Sequence, residues 1–198
     1  MFNIRVITYG VVPERDARSI MFVANHVSWI DIYALNSVRT VRFVAKAEIR
    51  RWPVFGWLAA QVNTLFTDRE RRHDAGRMVT STADSLKQGD CLCYFPEGMT
   101  TDGSELKPFK SSLMQAAINA NAMVWPVAIR YPGKDDKPNK ELSYFDVTLL
   151  ESVKKVLAQH APVVELHFAS PVEASGHDRR QLSTLARQYI SDTLRINQ

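Results

Sequence analysis

The sequence predicts an α/β fold: a single domain, residues 1–198, with a mostly parallel mixed sheet flanked by helices. Three observations carry this. Short apolar, strand-like runs alternate with helical spacings nearly throughout the chain, as crossover connections between parallel strands require. Two of the runs, Ile20 to Ala24 and Cys91 to Phe95, are continuously apolar, the pattern of strands buried on both faces. No internal repeat, low-complexity tract or linker divides the 198 residues, a length suited to one substantial core.

Taken in order, Ile4 to Tyr9 reads as a first strand, ended by Gly10 and Pro13, and Ser19 to Ala24 as a second. Trp29 to Val38 has apolar residues at 30, 34, 35 and 38, a helical spacing. Val41 to Ala47 alternates apolar and polar as a strand does, and Pro53 to Val62 reads as a helix with proline in its first turn. A short apolar run, Asn63 to Thr67, leads into a charged break. Ala75 to Lys87 then places Val79, Ala83 and Leu86 on one helical face, with Gly89 as the stop.

Cys91 to Phe95 is a compact strand closed by Pro96-Glu97-Gly98. Ser111 to Ala122 is helical by composition, and Val124 to Arg130 is a strand in which Pro126 argues for an edge position or a bulge. After a polar loop, Pro132 to Ser143, come a helix from Asp146 to Gln159, a strand from Val163 to Phe168 and a last helix from Asp178 to Leu194.

Composition narrows the functional classes. The chain is 45% apolar and 23% charged with a net charge of +4, a mild basic excess that fits an anionic partner but does not choose among phosphate, coenzyme A, lipid headgroup and nucleic acid. Its two cysteines, Cys91 and Cys93, lie on one face of one strand, where they are poor disulfide partners. They lack neighbouring ligands for a zinc site, so reduced buried thiols, no metal and a cytosolic setting are expected. No signal-peptide pattern is present and no apolar run approaches the roughly 18 residues of a membrane span, so membrane contact is expected to be peripheral unless an anchor precedes Met1.

Asn25-His26-Val27-Ser28-Trp29-Ile30-Asp31 falls where the second strand turns into a helix, the place where open α/β sheets bind ligands. Histidine suits proton transfer near neutral pH, and a neighbouring carboxylate fixes its tautomer. Five residues on one continuous helix would set the two side chains roughly 140° apart, so they converge only with His26 in the turn and Asp31 in the first helical turn. Ser28 supports that placement through the Ser-x-x-Asp capping pattern, which equally allows Asp31 to be a helix cap and nothing more. Three further clusters end predicted strands: Asn63 to Arg69, Phe95 to Thr101, and Val124 to Ile129. Singly they read as a solvated charged run, a turn and a core strand.

Together and in this order, from Val23 to Ile129, they resemble the glycerolipid acyltransferase family typified by bacterial 1-acylglycerol-3-phosphate acyltransferase. Asn25, His26 and Asp31 match its Asn-His-x-x-x-x-Asp block. Residues 63 to 69 match the block closed by an arginine, here Arg69. Residues 95 to 98 match Phe-Pro-Glu-Gly, and Pro126 matches the proline of the fourth block. The resemblance implies transfer of a fatty acyl group from acyl-coenzyme A or acyl carrier protein to a hydroxyl of a lysophospholipid or other lysolipid, with no cofactor beyond that cosubstrate and no nucleic acid. It implies work at the cytoplasmic face of the membrane.

In that reading His26 is the general base and Asp31 its orienter. No serine or cysteine nucleophile elbow is present, which favours direct transfer. Asn25, Arg69, Glu97, Gly98, Lys107 and Lys110 are the candidate substrate contacts: Arg69 for an anionic headgroup, Glu97 for an acceptor hydroxyl, amides around Gly98 for the oxyanion, and the lysines for phosphate. Trp52, Phe55 and Trp57 beside Arg50 and Arg51 suit a lipid interface or a helix packed on the sheet. Many family members have Gly in place of Asn63 and Thr-Arg in place of Met99-Thr100, so the acceptor here is expected to include headgroups such as a lyso-ornithine lipid. The rival readings are an acyl thioesterase using the same base on water, and an inactive lipid-binding module on the same fold.

Overall fold

The computed structural model describes residues 3–46, 64–67 and 72–196. The helix expected at Pro53 to Val62, the aromatic and basic stretch around Trp52, and Asn63 and Arg69 lie outside the described residues. In chain order the elements are β1 (Arg5–Gly10), β2 (Ile20–Ala24), α1 (Ile30–Val38), β3 (Arg42–Lys46), β4 (Leu65–Thr67), α2 (Arg72–Lys87), β5 (Cys91–Tyr94), α3 (Met114–Asn119), β6 (Met123–Arg130), α4 (Leu149–Ala158), β7 (Val163–Phe168), β8 (Val172–Glu173) and α5 (Arg179–Leu194).

The strands form one sheet in the order β1-β7-β6-β2-β5-β3-β4, with β8 also pairing β6. Strands β2 to β6 run parallel, while β6 pairs β7 and β8 antiparallel, which makes the sheet mixed. β2 sits between β5 and β6, and all five of its residues are buried. Ile20, Phe22 and Ala24 join the core on one face with Trp125 and Phe168, and Met21 and Val23 join the other with Leu92, Met114 and Leu182. A central parallel strand covered on both faces has no polar side, which is why the run reads as continuously apolar.

Pro126 is not at an edge, because β6 lies inside the sheet with Val23 of β2 opposite Pro126. Beside it, however, the register slips by one residue, from Val127 opposite Phe168 to Val124 opposite Val172, so the bulge lies on the partner side. The Pro126 carbonyl accepts the Ala169 N–H at 3.0 Å, on the side where the chain passes from β7 to β8. A strand residue's nitrogen and carbonyl face the same neighbour, so the missing N–H falls on that break in the ladder. Capping explains the shifted helix ends. Asp146 has a positive φ of 54° and Thr148 Oγ1 accepts the Glu151 N–H, so α4 starts at Leu149 rather than at Asp146. Asn121, at φ 50°, closes α3 early. Asp178 and Gln181 form a reciprocal capping box that starts α5 where the sequence predicts it.

Candidate active site

Strands β6, β2 and β5 are neighbours and parallel, so their carboxyl ends open on one edge of the sheet, where the strand order reverses direction on either side of β2. The chain leaves β2 at Ala24 and makes a tight turn before α1, closed by the Asp31 N–H donating to the Ser28 carbonyl at 3.1 Å. His26 therefore lies in the turn and Asp31 in the first helical turn. Its Nδ1 stands 2.8 Å from Asp31 Oδ2. The same oxygen accepts the N–H groups of Val27 at 2.8 Å and Ser28 at 3.0 Å. The N-cap of α1 is Trp29, with no side-chain cap bond, so the Ser-x-x-Asp pattern does not form the expected cap. One carboxylate oxygen instead ties down the turn before α1 and grips the imidazole.

Asp31 is fully buried and the His26 side chain is one-fifth exposed. A carboxylate only accepts, so Nδ1 carries the proton shared with Asp31 and Nε2 presents a lone pair. Among the described residues Nε2 has no hydrogen-bond partner. The ring is stacked on Phe95, with centroids 4.0 Å apart and planes 15° from parallel. The backbone is held as well: the His26 N–H donates to Glu97 Oε1 at 2.8 Å, and the His26 carbonyl accepts the Thr101 N–H at 2.9 Å. The imidazole is thus fixed in position, tautomer and plane before any ligand arrives.

Glu97 is buried, and its second oxygen, Oε2, accepts the Lys107 N–H at 2.9 Å. Burial raises its carboxyl above the ordinary value, against the opposing pull of the Lys107 and His26 amides. With one backbone N–H on each oxygen, Glu97 braces the His26 turn against the loop after β5. Asn25 is bonded to backbone as well. Its Nδ2 donates to the Ile129 carbonyl at 2.9 Å, its Oδ1 accepts the Ile129 N–H at 2.7 Å, and it is 1% exposed, so it ties β2 to β6.

Gly98, at φ 73°, occupies the left-handed region that favours glycine, and its N–H donates to the Phe95 carbonyl at 3.1 Å. Its own amide is thereby taken up by the turn and is not an oxyanion donor. Lys107 Nζ pairs with Glu105 at 2.5 Å. The Lys110 side chain is exposed, while its backbone closes the turn through Pro96 and accepts the Tyr94 hydroxyl.

Two side chains at the site carry no role in the sequence reading. Phe95 lies inside the matched Phe-Pro-Glu-Gly block, yet only the fold reveals that its ring is the platform under His26. Tyr131, one residue beyond β6, donates its hydroxyl to Asp31 Oδ1 at 2.5 Å from a fully buried position. Burial first, and then the Asp31 charge, raise its phenol well above the ordinary value, so it is a neutral donor. A tyrosine closing a strand next to the His-Asp turn is the signal that marks it. Beneath the site, burial and the Asp31 charge push the Cys93 thiol up, leaving it a neutral wall residue. Both cysteines are free and buried. Among the described residues no group of three or more His, Cys, Asp or Glu side chains is placed to hold a metal ion, and no helix is long and apolar enough to cross a membrane.

The family model described as Acyltransferase matches residues 3–130. The chain is 36% identical over 178 residues to a lyso-ornithine lipid O-acyltransferase of Pseudomonas aeruginosa, covering 89% of this chain and 68% of that protein. It is 34% identical over 168 residues to a 1-acyl-sn-glycerol-3-phosphate acyltransferase of Neisseria gonorrhoeae, covering 85% and 66%. The chain thus spans about two thirds of the length of these curated relatives. The crystal structure of a 1-acyl-sn-glycerophosphate acyltransferase from Thermotoga maritima has the same fold, with a TM-score of 0.70 at 24% identity over 98% of this chain and 72% of that one.

Proposed function

This chain belongs to the Acyltransferase family, and from that premise we propose that it transfers a fatty acyl group from a thioester, acyl-coenzyme A or acyl carrier protein, to a hydroxyl of a lysolipid. The observation that carries the reading is the His26 Nδ1 to Asp31 contact at 2.8 Å, with no hydrogen bond to Nε2 among the described residues. An alcohol is a poor nucleophile near neutral pH. His26 Nε2 takes its proton as the oxygen attacks the thioester carbonyl, help worth about 10² to 10⁴ in rate. Asp31 keeps Nδ1 protonated and stabilises the imidazolium. The tetrahedral intermediate then collapses, the C–S bond breaks, and the sulfur leaves with the proton that His26 has held. The products are the acylated lipid and a free thiol. The neutral, buried Cys93 offers no thiolate for an acyl-enzyme, in keeping with direct transfer.

Arg69 is assigned the acceptor's anionic headgroup, because a guanidinium matches such oxygens two at a time. Thr100 stands where the family resemblance implies an arginine, and its hydroxyl is bonded to the Tyr144 carbonyl. That leaves one fewer cation for a phosphate monoester and favours a headgroup of the ornithine type, the class named for the Pseudomonas relative. In this reading the enzyme works on the cytoplasmic face of the membrane, where a lipid acceptor and a soluble thioester meet.

The test is to incubate the protein with labelled acyl-coenzyme A or acyl carrier protein against a panel of lysolipids, identifying products by mass and following thiol release. Thiol release that depends on one acceptor class, with the matching diacyl product, is expected. Release at the same rate without acceptor would make the protein a thioesterase.

A further inference from the structure

We propose that Tyr131 is a positioning residue that acts on His26 through Asp31, its hydroxyl taking up part of the carboxylate charge at Oδ1 while Oδ2 faces His26 Nδ1. The inference rests on His26 acting as the base. The two carboxylate oxygens of Asp31 are used unequally. His26 Nδ1 and the Val27 and Ser28 N–H groups converge on Oδ2, whereas Oδ1 receives the Tyr131 hydroxyl. The three donors on Oδ2 already set the rotation of the carboxylate, so the Tyr131 hydroxyl is a fourth donor, on the opposite oxygen, that shares the charge Oδ2 directs at His26. Removal of the tyrosine hydroxyl would leave Oδ1 without that donor in a site that excludes water, where an unmet acceptor is costly.

Tyr131 is itself held on several sides. Two residues upstream the Asn25 amide clasps both the N–H and the carbonyl of Ile129, fixing the tip of β6 against the His26 turn. The Tyr131 carbonyl accepts the Asn139 N–H at 2.8 Å, and its ring lies in the buried core with Val27 and Ile129. The hydroxyl therefore reports the position of β6 to a carboxylate on α1, and through it to an imidazole on the β2 turn. Among the described residues, the ionisable groups around the His26–Asp31 pair are Glu97 from the loop after β5, Cys93 from β5 and Tyr131 from the end of β6. Of these, Tyr131 can be stripped of its polar atom while its packing is kept.

Tyr131→Phe retains the ring and removes one oxygen. Without that donor the carboxylate charge falls more fully on the imidazole, which then holds its proton to higher pH. The expected result is a kcat about tenfold lower with the acceptor KM within about twofold, and the acid limb of kcat/KM displaced upward by roughly half a pH unit. A residue that only packs would change neither the limb nor kcat. The same displacement is read without turnover from the ring resonances of isotopically labelled histidine, His26 being assigned by their loss in His26→Ala. Should Tyr131→Phe fail to fold, protein grown on 3-fluorotyrosine has a more acidic phenol and a stronger donor, and the His26 titration is expected to move to lower pH. A His26 titration that stays in place in the folded Tyr131→Phe protein, or in the fluorotyrosine protein, overturns the proposal. Near-normal turnover in His26→Ala, with the resonance still responding to Tyr131, would instead overturn His26 as the base.

Discussion

The imidazole of His26 is confined by contacts of three kinds: a carboxylate at Nδ1, an aromatic plane under the ring, and backbone bonds from Glu97 and Thr101. Asp31 is the member whose chemistry cannot be imitated by a near isostere. In Asp31→Asn one oxygen becomes an NH₂ group, which must face either the two backbone N–H groups at Oδ2 or the Tyr131 hydroxyl at Oδ1. Facing the amides sets donor against donor at a cost of about 1–3 kcal/mol. In either orientation the charge that supports an imidazolium is gone. The expected outcome is a kcat lower by on the order of 10³ to 10⁴, as when the carboxylate of a catalytic triad is amidated, with a modest loss in urea unfolding; a kcat within tenfold of wild type would contradict it. Arg69→Ala tests the headgroup assignment separately. Loss of a charge-assisted contact worth about 1.5–3 kcal/mol predicts an acceptor KM roughly 10- to 100-fold higher with kcat little changed, and an unaltered acceptor KM would remove Arg69 from the site.

Between residues and fold stand the connections that follow β5 and β6. The loop after β5 supplies the Phe95 ring, the Glu97 brace and the Thr101 N–H, and it is pinned to the segment after β6 by Asp102, whose carboxylate lies 2.6 Å from Lys140 Nζ. Partial burial pushes the Asp102 carboxyl up, but Lys140 and the hydroxyl and N–H of Ser104 outweigh it and hold the group at about 2. A carboxyl whose folded value lies below the ordinary 3.8 stabilises the fold above that pH and loses the contribution as pH falls through about 2. Asp102→Asn is therefore expected to lower stability at pH 7 and to match wild type near pH 2, a comparison made by urea unfolding at both values. A gap of equal size at both would mean that the ion pair contributes nothing. On the strand side, Phe22 packs edge-on to Phe168 at 6.2 Å and against Trp125 at 6.4 Å with 1% exposure. Phe22→Ala is expected to cost about 3–5 kcal/mol in unfolding free energy, and a loss below 1 kcal/mol would show that the β2 core collapses around the gap.

At the scale of the molecule, the sheet gathers pieces of sequence 100 residues apart onto one edge, and this decides what could be read beforehand. The alternation of strands and helices, the buried β2 and β5, and the His26–Asp31 pairing were legible because each depends on local periodicity or on a turn spanning five residues. Of the two alternatives for Pro126 the edge fails and the irregular register stands, but it lies in the β7 to β8 break across the sheet, which no local pattern encodes. The structural work of Asn25 and Glu97 was not legible in sequence, because it depends on the Ile129, His26 and Lys107 backbone atoms that the fold brings opposite them. Tyr131 has only its place at a strand end to mark it in the sequence, because its partner is 100 positions away. The most direct measurement is steady-state acyl transfer to the preferred lysolipid by His26→Ala, alongside circular dichroism to verify the fold. The account predicts turnover lower by about 10² to 10⁴ with the structure retained; turnover within threefold of wild type would mean that another group removes the proton.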